Sequence, residues 1–137
     1  MSATGTEAST IVTGVDFVSV PTQDLERAVA FYGETLGLRR TTYRPERNFA
    51  EFDTGTVTLS VVDPQRMGIG EFRPNANHLA LQVDDVGRSR ATLEQRGVAF
   101  MGDVFDTGVC HMAFFADPDG NALMLHHRYA PREPDAG

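Results

Sequence analysis

Val109-Cys110-His111-Met112-Ala113-Phe114-Phe115, then Ala116-Asp117-Pro118-Asp119-Gly120-Asn121, then Ala122-Leu123-Met124-Leu125-His126-His127: the fold is decided in this stretch. Two β-prone runs flank a turn. Pro118 pre-sets φ at the turn, and Gly120 can take a positive φ there. The whole therefore reads as a β-hairpin. Past the turn, alternation sends Leu123 and Leu125 to one face and Met124 and His126 to the other. The leucine face belongs to a core, and the opposite face is where a ligand would be met. Alternation leaves the face of His111 open, because both faces of its strand are apolar.

Upstream of the hairpin the chain repeats itself. Asn77-His78-Leu79-Ala80-Leu81-Gln82-Val83-Asp84-Asp85-Val86 reads like Asp16-Phe17-Val18-Ser19-Val20-Pro21-Thr22-Gln23-Asp24-Leu25. Phe17 falls on His78, Asp24 on Asp85, Leu25 on Val86 and Arg27 on Arg88. Each copy begins with a strand. Asp24 or Asp85 then caps a helix that is closed by Gly37 or Gly97. Three strands follow in each copy: Leu38 to Tyr43, Phe49 to Phe52 and Val57 to Val62 in the first; Ala99–Phe105, Val109–Ala116 and Ala122–Arg128 in the second. The expectation is an α+β fold of two tandem βαβββ units within a single domain, residues 11–129. Unit one spans about 11–62 and unit two about 77–129. Residues 63–76, with two prolines and two glycines, read as a linker. Residues 1–10 are small and polar and read as disordered, and 130–137 as a loose Pro-rich tail.

With 137 residues the chain can bury a real core. Twelve basic residues against nineteen acidic ones give a net charge of −7, which argues against nucleic acid or an anionic membrane surface as partner. Cationic or neutral small ligands suit that balance better. The single cysteine, Cys110, lies in an apolar strand and reads as a small buried hydrophobe. Residues 1–10 lack the pattern of a signal peptide, and no apolar run approaches a membrane span. The expected location is cytoplasmic.

Two βαβββ units, the helix opening Asp24-Leu25-Glu26-Arg27-Ala28-Val29-Ala30-Phe31-Tyr32 and the final Asp117-Pro118-Asp119-Gly120-Asn121 hairpin together resemble the vicinal oxygen chelate superfamily. Glyoxalase I, extradiol dioxygenases, fosfomycin-resistance enzymes and bleomycin-binding resistance proteins belong to it. The resemblance covers residues 11–129. It implies two curved mixed sheets around a shared cup, a divalent metal in the cup of the enzymes, and units paired across a homodimer. The implied metal positions are the first-strand pair Phe17 and His78 and the fourth-strand pair Ser60 and Met124.

As a ligand set for a divalent ion these four are poor. Phe has no donor, neutral Ser is weak, and Met thioether suits soft ions such as Cu(I). No metal is therefore expected at that position. A small organic molecule is the expected partner, bound among Phe17, Ser19, Ser60, His78, Gln82, Met124 and His126, in the manner of a bleomycin-resistance-like sequestering protein. The alternative is a glyoxalase- or dioxygenase-like lyase, isomerase or dioxygenase. It would use a displaced site around His78 and His126, with His111 as a possible third member, or one histidine as general base.

Overall fold

The computed structural model describes residues 10–132. The expectations for residues 1–9 and 133–137 lie outside the described residues. In unit one, β1 (Phe17–Pro21), β2 (Arg39–Arg44), β3 (Phe49–Asp53) and β4 (Thr58–Val62) form a mixed sheet in the order β1-β4-β3-β2. In unit two, β5 (Leu79–Gln82), β6 (Phe100–Asp106), β7 (Cys110–Ala116) and β8 (Ala122–Arg128) repeat it as β5-β8-β7-β6. In both units the first strand runs parallel to the fourth, and the remaining pairs are antiparallel. The register confirms the repeat: Val18 lies beside Leu59 as Leu79 lies beside Leu123.

Each unit's helix follows its first strand, as the caps required. Asp24 accepts a hydrogen bond from the Arg27 amide and opens α1 (Leu25–Ala30). Asp85 does the same with the Arg88 amide before Val86–Gln95. The first helix differs from its expected form. After Ala30 it widens into a π-helical turn, Phe31–Thr35, in which the Leu36 amide donates to the Phe31 carbonyl. Gly37 at φ 76° then reverses the chain. The expected linker also holds structure. Asp63 caps a short helix α2 (Pro64–Met67), with Pro64 at its first position, where a proline loses nothing. The helix Val86–Gln95 is α3. The sequence signal for α2 was Asp63-Pro64, but the surrounding Pro and Gly read more strongly as linker.

The helices cover one face of each sheet. α1 packs on β3 and β4, and α3 on β6, β7 and β8. Leu59, Val61, Ala50 and Phe52 are buried beneath Ala28, Phe31 and Tyr32; Leu123, Leu125, Ala113 and Phe115 are buried in unit two with Leu93. Cys110 is buried as expected, with Thr107 Oγ1 3.0 Å from its sulfur.

The hairpin turn proves to be the clasp between the units. Tyr32 Oη donates to Asp117 Oδ2 at 2.6 Å, and Asn121 Nδ2 donates both to the same oxygen at 2.7 Å and to the Pro21 carbonyl at 2.8 Å. Amides of Asp119 and Asn121 donate to Asp117 Oδ1, each at 2.9 Å. Asp119 in turn receives Thr22 Oγ1 at 2.6 Å, the Gln23 amide and the Arg27 guanidinium. Asn75 completes the joint: its amide donates to Asn121 Oδ1 and its side chain to the Ser19 carbonyl. Asp117 and Asn121 are buried, so a carboxylate removed from water is held by four donors of fixed geometry. This network fixes unit one against unit two, and so sets where the two sheets lie relative to each other.

Candidate functional site

The sheet faces turned away from the helices carry the candidate residues. In unit one, Ser19 is the register partner of Ser60, and Ser60 of Glu51, which pairs with Thr42 on the edge strand. These four make a polar row across the open face, with Phe17 at its margin, 56% exposed. Glu51 is half-buried and was missed in the sequence. Its signal was there: a lone acid between the buried core residues Ala50 and Phe52, and so on the opposite face.

In unit two the open face is apolar and rich in sulfur. Met124 is flanked by Ala80 and Phe114, and Phe114 by Met101. One step along, Gln82, His126, Met112 and Phe105 form the next row. His78 lies just before β5, exposed, with its ring edge-on to Phe114 at 5.0 Å. His78, Phe114 and Met124 thus form one patch. Met101 and Phe105 each keep 54% exposure, because they lie on the open face beyond the reach of α3.

His78, His111 and His126 do not gather into one site. Extending the β5–β8 register sets His78 level with Ala122, four residues from His126, or about 13 Å along the strand. His111 takes the helix side, opposite to Met112, where its Nε2 lies 3.4 Å from Asp106 Oδ2 and its ring packs at 4.9 Å from Tyr129. The Gly108 amide, the Tyr129 hydroxyl and His111 hold the Asp106 carboxyl below the usual carboxylate range. His127 points the same way, with Nδ1 3.0 Å from the Val83 carbonyl. His111 therefore has no part in a site with His126.

The positions that the resemblance implies for a divalent ion hold Phe17, Ser60, His78 and Met124. That donor set does not fit one: it holds a single borderline ligand, His78, against the three that a catalytic site needs. Among the described residues, no three His, Cys, Asp or Glu side chains converge as metal ligands. All seven residues expected to bind a ligand lie on or beside the open faces. Gln82, at the end of β5, also borders a cleft between the units on the helix side.

Residues 14–125 match the Glyoxalase/Bleomycin resistance protein/Dioxygenase superfamily, and the chain belongs to it. Among solved structures it is similar to a glyoxalase family protein from Bacillus anthracis (TM-score 0.76, 23% identity, 88% of this chain and 99% of that one). It is also similar to TnmS3, an antibiotic binding protein from Streptomyces sp. CB03234 (TM-score 0.72, 30% identity, 87% and 98% covered). A glyoxalase/bleomycin resistance protein from the same Streptomyces strain gives a TM-score of 0.67 at 31% identity, over 83% of this chain and 100% of that one. No described helix is long and apolar enough to cross a membrane.

Proposed function

We propose that this protein binds a small organic molecule without a metal ion, in the cytoplasm, as a sequestering protein of the bleomycin-resistance kind. The observation that carries this reading is the open face of unit two. Where a metal enzyme needs hard donors, it presents Met124, Phe114 and Met112, with His78 and Gln82 at its borders. Thioethers and aromatic rings adapt to an irregular apolar body, and a few polar groups fix its orientation. The similarity to an antibiotic binding protein at 30% identity supports the same class of ligand.

In this reading the working form is a homodimer, with the polar row of one copy set against the apolar face of its partner. Ser19, Ser60 and Glu51 would then meet hydroxyl or cationic groups of a ligand whose body lies on the methionine face. The chain's charge of −7 favours neutral or cationic ligands over anionic ones at this site.

The test is a ligand found by thermal-shift screening, followed by calorimetric titration and product analysis, with elemental analysis of the dialysed protein. His78→Ala is expected to weaken binding about tenfold, since one neutral hydrogen bond contributes roughly 0.5–1.5 kcal/mol. The ligand is expected back chemically unchanged. A product formed by the parent protein and lost by roughly 10²–10⁴ in His78→Ala would replace binding by histidine-based catalysis. Stoichiometric Zn, Ni, Mn or Fe with His78 as ligand would overturn the metal-free reading.

A further inference from the structure

The helix side of the molecule holds a cleft of about 640 Å³ between the two units, within the usual range for small-molecule sites. Its floor is aliphatic: Val18, Leu36, Leu38, Leu79 and Leu81, all only partly buried by the surrounding core. One wall is α3 and its cap, where Arg88, Thr92 and Arg96 follow at four-residue spacing and so share a face. Among the described residues no Asp or Glu lines the cleft, in a chain whose net charge is −7. Two guanidinium groups over a leucine floor, in a strongly acidic protein, form a local site of opposite sign. Asp85, just outside, approaches Arg88 only at 3.8 Å and already accepts the Arg88 amide, and the Arg88 side chain is 83% exposed. Arg96 commits one nitrogen to the Thr35 carbonyl at 2.7 Å. Arg88 therefore has fork donors to offer a ligand.

We infer that this cleft is a second binding site, for a small amphipathic carboxylate whose apolar body lies on the leucine floor and whose head group is held by Arg88 and Arg96. The planar guanidinium matches a carboxylate with two parallel hydrogen bonds, a match that an alcohol of the same chain length does not have. This site is separate from the open-face site and takes ligands of the opposite charge.

Decanoate, below its micelle concentration, and decan-1-ol are the probes, titrated into the full-length ¹⁵N-labelled protein and followed by amide chemical shifts. Saturable shifts are expected at Leu81, Arg88 and Thr92 with decanoate, with the alcohol binding roughly 10- to 100-fold more weakly. Arg88→Gln, which alters an exposed side chain and leaves the fold intact, should weaken decanoate about tenfold and leave the alcohol unchanged. Arg96→Gln should act likewise, judged against its own melting temperature because the bond to Thr35 is also lost. Equal affinity for acid and alcohol, affinity unmoved in Arg88→Gln, shifts confined to Met124 and Phe114, or no saturable shift would each overturn the proposal.

Discussion

Tyr32 is fully buried, and its hydroxyl reaches across from one unit to a carboxylate of the other. Burial first, and then the charge and hydrogen bond of Asp117, hold its pKa well above the tyrosine range. An unfolded tyrosine ionises near pH 10, so the folded chain keeps a proton that the unfolded chain gives up. Its contribution is complete below about pH 10 and is lost as the pH rises further. Melting temperatures measured from pH 8 to 11 should therefore fall more steeply for the parent than for Tyr32→Phe. Parallel curves would show that Tyr32 does not carry the effect. At neutral pH, Tyr32→Phe removes one donor from a buried carboxylate and should cost about 1.5–3 kcal/mol in urea unfolding. In the sequence, Tyr32 read only as an apolar helix position and Asp117 only as a turn residue. Their partnership joins residues distant in the chain, which local spacing does not reveal.

At the scale of elements, caps and glycines act as the sequence implies. Gly97 ends the second unit's helix at φ 92°, with nothing within 4 Å of the position a Cβ would take. The cost of Gly97→Ala is then backbone strain alone, about 1–2 kcal/mol by denaturant titration, and Gly97→Asn should cost less. An unchanged midpoint for Gly97→Ala would mean that the turn relaxes out of the left-handed region. Asp24→Ala should cost about 1 kcal/mol, by loss of the bond to the Arg27 amide. The helix starts, the helix ends and most strands were legible because each is set by short-range chemistry. The widening of the first helix at Phe31–Thr35 was not, since apolar spacing there also fits an ordinary α-helix.

For the whole molecule, the open faces leave Phe17, Met101 and Phe105 half in water, which is costly for large apolar side chains. If a second copy covers them, light scattering at micromolar concentration should give twice the chain mass of 15.0 kDa. Phe105→Glu should then shift the protein to monomer with its circular dichroism unchanged. A parent protein at monomer mass would remove the homodimer from the proposed function, along with the site shared between copies.

By itself the sequence determined the two βαβββ units, their equivalence, and which side of the last strand is core. Period-two alternation, a capping aspartate and a closing glycine act over a few residues and are written along the chain. The repeat and the strand parity also paired Phe17 with His78 and Ser60 with Met124, and the resemblance, not the periodicity, marks these as the metal positions of the enzymes. Only the tertiary structure decided what long-range packing controls. It set His111 on the helix side, beside Asp106 and Tyr129, and set Glu51 beside Ser60 through the pairing of β3 with β4. It turned Asp117, Asp119 and Asn121 from turn residues into the joint between the units, and it brought Arg88 and Arg96 over a leucine floor. These are contacts between groups far apart in the chain, and only the closing of one unit on the other brings them within reach.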